Sequence, residues 1–123
     1  MSIVDKLDAL RAAAPGCSLA AFGDLHARLV LRSSASRHWH QERLDELCAQ
    51  AARCFSAADD PALTHHFVPE KGRLDEAILL DPTDIRLFLR SPQDEADLIC
   101  VVVNSVEDFE RVAGPARQTV QNL

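Results

Sequence analysis

Apolar residues recur at helical spacing close to the N-terminus, at Ile3, Leu7, Leu10 and Ala14. Such a stripe is typical of one face of an amphipathic helix. Ser2, followed by Asp5 three positions later, favours a capping box at the start of this helix. Pro15-Gly16 favours its end. The pattern therefore predicts a first helix over residues 2–14.

The longest helical pattern runs from about His40 to Ala58. Its apolar stripe consists of Leu44, Leu47, Cys48, Ala51, Cys54 and Phe55. Spacing of i, i+3, i+4 and i+7 places these residues on one face of a helix. Asp59-Asp60-Pro61 favours the end of this second helix, because a residue before proline avoids helical backbone angles.

A third helical stripe begins after Ser105 and contains Phe109, Val112, Ala113, Ala116 and Val120. Ser105 and Asp108 repeat the pattern of a serine cap followed by an acidic residue. Gly114-Pro115 interrupts the stripe, and proline removes a backbone donor and clashes with the preceding turn. We therefore expect a kink or a break in this helix at Pro115.

Five other segments follow β-strand patterns. The first two cover residues 18–22 and 26–32, with a turn predicted at Gly23-Asp24 and a polar loop over residues 33–37. The next two cover residues 76–80 and 85–90. The last, Leu98–Val103, is apolar at every position. A strand of that kind is buried on both faces, which places it centrally in the sheet with helices above and below.

The order of predicted elements is α-β-β-α-β-β-β-α, and residues 59–74 are predicted to be a loop. Because hairpins connect most of the strands, the sheet is expected to be largely antiparallel and the fold class α+β. A length of 123 residues favours a single domain over residues 1–123.

Charge and hydropathy exclude several classes of partner. With 13 basic and 19 acidic residues, the net charge of −6 argues against broad binding to nucleic acid. No apolar run approaches the roughly 20 residues that span a membrane. Asp5, Lys6 and Asp8 make the N-terminus unlike a signal peptide. We therefore expect a cytoplasmic protein without nucleic-acid or membrane partners.

No catalytic constellation is evident. The four glycines form no phosphate-binding loop, and the chain has no G-x-S-x-G elbow. The paired carboxylates Asp59-Asp60 and Asp94-Glu95 lie in predicted turns, where capping and solvation explain them. We therefore expect neither an enzyme nor a cofactor. Arg86 and Arg90 flank Phe88 on one strand face, which fits either packing against a helix edge or contact with an anionic partner.

Cysteines and histidines leave one alternative open. Cys17, Cys48, Cys54 and Cys100 form no C-x-x-C pair and are interpreted as small buried apolar residues. The histidines, His26, His38, His40, His65 and His66, lie in predicted loops. Solvated side chains explain them, so no metal site is predicted, and metal binding or pH sensing is the alternative.

The element order resembles the Roadblock family, which includes dynein light chains and bacterial GTPase regulators. The resemblance is carried by the helix ending at Ala14-Pro15-Gly16-Cys17, the strand pair over residues 18–32, the helix Gln41–Ala58, and the strands Ile85–Arg90 and Leu98–Val103. It implies a five-stranded antiparallel sheet with two helices on one face and one on the other. Profilin-like and longin-like domains share much of this layout.

Members of the family usually form homodimers through the mid-chain helix and an edge strand, which correspond here to Gln41–Ala58 and Glu76–Leu80. An unpaired apolar edge strand is an aggregation hazard unless it is covered. Ala49, Ala52 and Ser56 share a helix flank on which a second helix can approach closely, although alanine is also simply a good helix former. The expected interface is Ala49, Ala52, Arg53, Ser56, Ala77, Ile78 and Leu79.

The resemblance implies a non-enzymatic homodimeric adaptor or regulator whose protein partner is a candidate small Ras-like GTPase. Two alternatives belong to other classes. One is a small acidic dimeric chaperone of the secretion type, which would bind extended segments on apolar surface. The other is a metal- or ligand-sensing domain that uses the loop histidines.

Overall fold

The computed structural model of the protein describes residues 2–59 and 74–123. The predicted loop therefore lies largely outside the described residues, as do His65 and His66. In chain order the elements are α1 (Ile3–Ala12), β1 (Cys17–Asp24), β2 (Leu29–Ala35), α2 (Gln41–Ala58), β3 (Glu76–Leu80), β4 (Ile85–Arg90), β5 (Asp97–Val103) and α3 (Val106–Gln121). The predicted order and the α+β class are confirmed.

The five strands form one antiparallel sheet in the order β2-β1-β5-β4-β3. The apolar strand β5 lies at its centre, and Leu98–Val103 are all buried. The prediction of a strand covered on both faces is therefore confirmed. β2 and β3 are the two edge strands.

Helices cover both faces of the sheet. On one face, α1 and α3 pack Leu7, Leu10 and Val112 against residues of β4 and β5 that include Leu87 and Val101. On the other face, the predicted apolar stripe of α2 packs against β4 and β5. The strand residues that it contacts there are Phe88, Leu98, Cys100 and Val102. Two cores therefore share one sheet, as the resemblance implies.

The first hairpin turns later than predicted. Gly23-Asp24 belongs to β1, and the turn covers residues 25–28, with Arg28 at φ 58°. A Cβ on Gly23 would lie 2.9 Å from the carbonyl oxygen of Leu29. The glycine is therefore needed because β1 and β2 lie close together here, and not because of the turn. The Asp24 carboxylate accepts from the N–H groups of His26 and Ala27, at 2.9 and 3.1 Å, and so stabilises the turn.

The predicted loop over residues 33–37 is also corrected, because β2 continues to Ala35. Ser34 lies inside this strand, and its hydroxyl donates to Asp8 of α1 at 2.5 Å. Arg11 of the same helix donates to the Ser34 hydroxyl and to the carbonyl of Ala35, at 3.2 and 2.8 Å. Hydrogen bonds to α1 therefore hold the polar end of β2 in the sheet, although its sequence is typical of a loop.

Of the kink or break expected at Pro115, the break is absent, because α3 continues from Val106 to Gln121. Pro115 and Arg111 are both exposed, so the carbonyl that loses its helical donor can be solvated. The hydroxyl of Thr119 donates to the carbonyl of Pro115 at 2.9 Å and supports the turn that follows.

Candidate functional site

The edge strand β3 presents apolar side chains on both faces. Ile78 and Leu80 are 51% and 75% exposed, on the face that carries α1 and α3. Ala77 and Leu79 point the other way and are half-buried against the core under α2. Within the described parts of the chain, β3 pairs with β4 and leaves its outer edge open. The expected position of β3 at an apolar edge is thus confirmed.

The predicted small-residue flank of α2 faces away from β3. Ala52 and Ser56 line an open cleft of 790 Å³ together with Leu25, His26 and Arg28 of the first hairpin turn. Asp45, four residues before Ala49 on the same side of the helix, accepts from the backbone N–H of Val30 in β2 at 3.1 Å. The flank of Ala49, Ala52 and Ser56 therefore lies towards the β2 edge of the sheet.

The opposite flank of α2 lies towards β3. Gln50, Cys54 and Ala57 follow i, i+4 and i+7 spacing and so share this flank. Gln50 accepts from the Arg86 guanidinium in β4 at 2.6 Å, and Cys54 packs half-buried on the same core as Ala77 and Leu79. Sequence spacing identified a flank of small residues, but it did not show which strand each flank faces. We name Gln50, Cys54 and Ala57 the β3-facing flank.

Arg53 lies between the two flanks on the solvent side of α2. Its side chain is 58% exposed and pairs with Glu46 at 2.9 Å. An exposed pair of this kind contributes about 0–1 kcal/mol to folding. Arg53 therefore has little structural role in the isolated chain.

The two arginines of β4 are engaged inside the chain. Arg86 contacts Asp84 at 2.9 Å and Asp81 at 3.6 Å. Arg90 is 4% exposed, and its guanidinium contacts Asp59 and Asp75. Burial lowers the pKa of Arg90, but the hydrogen bonds and charges of the two carboxylates raise it above its ordinary value. These contacts agree with the packing interpretation of the arginine-flanked strand.

Histidines and cysteines form no reactive cluster among the described residues. The rings of His38 and His40 meet edge to face at 4.9 Å, and His26 lies 3.7 Å from Glu95. Residues 2–59 and 74–123 contain no group of three or more side chains that could hold a metal ion. Burial raises the pKa of the Cys17 and Cys100 thiols, and it raises that of Cys48 to about 11 with help from Asp45 and Asp24. Thiols of this kind are poor nucleophiles at neutral pH.

No family model and no curated protein matches the chain. Solved structures do match it. A structure of the gliding protein MglB from Thermus thermophilus superposes with a TM-score of 0.75 at 17% identity, covering 96% of this chain and 82% of that one. The chain has the Roadblock fold. A Roadblock/LC7 domain from Streptomyces avermitilis superposes with a TM-score of 0.69 at 10% identity and covers 97% and 95% of the two chains.

A third Roadblock-type structure, of MglB in a tetrameric arrangement, has a TM-score of 0.71 at 16% identity and covers 97% of this chain and 85% of that one. The resemblance inferred from element order is confirmed by these superpositions. At such low identity they establish the Roadblock fold and carry no residue roles across. Among the described residues, no helix is both long enough and apolar enough to cross a bilayer.

Proposed function

We propose that the protein is a non-enzymatic homodimeric adaptor or regulator that binds a protein partner, with a small Ras-like GTPase as the candidate. The observation that carries the proposal is the open apolar edge of β3, in a Roadblock fold. Pairing this edge with its copy across a twofold axis would extend the sheet and shield Ile78 and Leu80 from water. The Roadblock fold favours this function over the secretion-chaperone alternative.

Helix α2 would form part of the same interface. Antiparallel pairing of two β3 strands brings the two copies of α2 together on one face. The β3-facing flank of Gln50, Cys54 and Ala57 is the flank that would then meet its copy. The seven-residue interface inferred from sequence is retained at Ala77, Ile78, Leu79 and Arg53. The test below decides between the β3-facing flank and the flank of Ala49, Ala52 and Ser56.

Light scattering of the purified protein over a range of micromolar concentrations tests the dimer. We expect a dimer mass for the parent chain. Ile78→Lys combined with Leu80→Lys is expected to give a folded monomer, because both side chains are exposed and charge blocks edge pairing. The matched control is Leu29→Lys with Leu31→Lys on the other edge strand, where the side chains are 44% and 47% exposed. A monomeric parent, or a dimer that persists in the β3 variant, overturns the proposed interface.

Two substitutions on α2 separate its flanks. Ala57→Glu introduces a charge on the β3-facing flank, and Ala52→Glu introduces the same charge on the flank near the hairpin turn. We expect Ala57→Glu to weaken the dimer and Ala52→Glu to leave it unchanged. The reverse result would favour the original seven-residue interface. Circular dichroism on each variant shows whether the monomer fold is intact.

Calorimetric titration of the dimer with a Ras-like GTPase, loaded in turn with GDP and with a non-hydrolysable GTP analogue, tests the partner. Saturable binding that depends on the nucleotide supports a regulatory role. Absence of binding by an intact dimer contradicts the proposal that a GTPase is the partner, and it does not affect the proposal of a dimer.

A further inference from the structure

A polar cleft of 350 Å³ lies at the end of the sheet where α2 begins. Its walls come from the end of β2, the turn between β3 and β4, and the first turn of α2. Three arginines line it, Arg37, Arg43 and Arg86, and we name it the arginine cleft. A volume of this size falls near the lower end of small-molecule sites, which is roughly 300 Å³.

The positive charge of the arginine cleft is only partly balanced. Arg86 contacts both Asp84 and Asp81, which also line the cleft, so three guanidinium groups face two carboxylates and the cleft keeps a net positive charge. Arg37 and Arg43 have no carboxylate within ion-pair distance in residues 2–59 and 74–123. Two guanidinium groups at the cleft are therefore available to an external anion.

The first turn of α2 adds to this positive potential. His40 occupies the N-cap position without a side-chain hydrogen bond to the turn; its carbonyl accepts from the Arg43 N–H at 3.0 Å, but the first turn has no side-chain cap. Arg43 stands in that first turn next to Glu42, so one basic and one acidic side chain flank the positive end of the helix dipole.

Trp39 forms part of the cleft wall and holds one of its arginines. Its side chain lines the cleft and is 8% exposed, and its Nε1 is buried without an acceptor. A buried donor left unpaired costs about 1–3 kcal/mol. The Arg43 guanidinium stacks on the indole with its central carbon 4.5 Å from the ring centroid. This stacking fixes the Arg43 cation at the wall of the cleft.

We propose that the arginine cleft binds a phosphate group, as the free ion or on a small phosphorylated molecule. Arg37 and Arg43 donate charge-assisted hydrogen bonds to its oxygens, and the open N-terminus of α2 adds its dipole. Arginine suits this role because its planar fork matches phosphate geometry. An uncapped helix N-terminus is likewise a common phosphate site. The inference stands apart from the proposed function, because Arg37, Trp39 and Arg43 lie outside the proposed dimer interface.

The chain contains one tryptophan, so Trp39 reports on the cleft directly. The experiment is a titration of the ¹⁵N-labelled full chain with inorganic phosphate, in which the indole N–H signal is followed at constant ionic strength. We expect a saturable shift of that signal at millimolar or lower phosphate. A response that sodium chloride reproduces, or a titration without saturation, overturns the proposal.

Variants assign the response to the two free arginines. Arg37→Gln and Arg43→Gln are each expected to weaken phosphate binding about ten-fold, which corresponds to about 1.4 kcal/mol. Arg111→Gln, on an exposed part of α3, is the matched control and is expected to bind as the parent does. Equal affinity of all four proteins overturns the site. Thermal unfolding of each variant shows whether the fold is intact.

Two further ligands separate the sources of the phosphate group. Ribose 5-phosphate binding more tightly than inorganic phosphate assigns the cleft to a phosphorylated small molecule. Equal affinity for the two assigns it to the phosphate ion alone. Malonate, which carries two carboxylates, is the chemical control, and tighter binding of malonate than of either phosphate ligand overturns the assignment to phosphate.

Discussion

The guanidinium of Arg90 holds the carboxylate of Asp59 through two hydrogen bonds, of 2.8 and 3.0 Å. Arg90 ends β4 and is buried, whereas Asp59 directly follows α2. The same guanidinium contacts Asp75, just before β3, at 3.3 Å and stacks on Phe55 at 4.5 Å. One buried cation therefore connects the end of α2, the start of β3 and the sheet.

Removing this cation is expected to be costly. Arg90→Ala leaves Asp59 and Asp75 without their shared partner and opens a gap beside Phe55. Breaking a buried ion pair from one side costs about 3–5 kcal/mol. Because Asp59 is 46% exposed and so partly solvated, we expect the lower end of that range. Urea denaturation of the parent and the variant measures the change in the free energy of unfolding.

Arg53→Ala is the matched control, because Arg53 pairs with Glu46 in an exposed position on α2. Loss of that pair is expected to change the free energy of unfolding by about 0–1 kcal/mol. A similar small change in both variants would contradict the structural role assigned to Arg90.

The sequence identified Arg90 as one of two arginines on a strand face, but it did not reveal the network around it. Alternation along β4 placed Arg86 and Arg90 on the same face, which the structure confirms. Their partners Asp59, Asp75 and Gln50 are 15 to 36 positions away along the chain. Spacing in one element carries no information about such contacts, which follow from the order of strands in the sheet.

The spacing of apolar residues predicted the helices and strands well, whereas the role of single glycines was harder to predict. Leu98–Val103 was placed correctly at the sheet centre because a strand buried on both faces must be apolar throughout. Gly23 was assigned to a turn because glycine is common in turns. It lies instead where two strands approach too closely for a side chain. Turn and close-approach glycines look alike in a single sequence.

Alanine is expected to destabilise the protein more at Gly16 than at Gly114. A Cβ on Gly16 would lie 1.9 Å from the carboxylate of Asp108, which accepts from the Ser105 hydroxyl at the start of α3. Displacing this carboxylate perturbs the helix cap, and we expect Gly16→Ala to lower the free energy of unfolding by about 1–2 kcal/mol.

Gly114 lies exposed inside α3, and a Cβ added there would have no atom within 4 Å apart from its chain neighbours and the adjacent helix backbone. Gly114→Ala is expected to change the free energy of unfolding by less than about 1 kcal/mol, because the higher helix propensity of alanine is offset by contact of its Cβ with the ring of Pro115. Urea denaturation of both variants measures the two changes. A loss at Gly16 no larger than the change at Gly114 would contradict the close approach between Gly16 and Asp108.

The four thiols are expected to differ in reactivity. Cys17, Cys48 and Cys100 are buried, whereas Cys54 is half-buried on the β3-facing flank. Burial also raises the pKa of the first three thiols, so little thiolate forms near pH 8. We expect Ellman's reagent to modify Cys54 first in the monomeric variant Ile78→Lys with Leu80→Lys, where the β3-facing flank is uncovered, and the other three only after denaturation. Cys54→Ser should remove the fast phase, and a fast phase that remains would contradict this order.

Replacing Asp97 is expected to stabilise the protein at neutral pH. Burial raises the pKa of the Asp97 carboxyl above its ordinary value, and the charges of Asp94 and Asp24 raise it further. The folded state therefore keeps the proton to higher pH than the unfolded state, and stability is lost as pH rises from the ordinary carboxyl pKa through the raised one.

Asp97→Asn removes this loss and keeps the backbone hydrogen bonds to Asp94 and Ser91. We expect a higher Tm than the parent at pH 7 and a smaller difference below pH 4, about the ordinary carboxyl pKa. A variant with the same Tm advantage at both pH values would show that the gain does not come from the carboxyl charge.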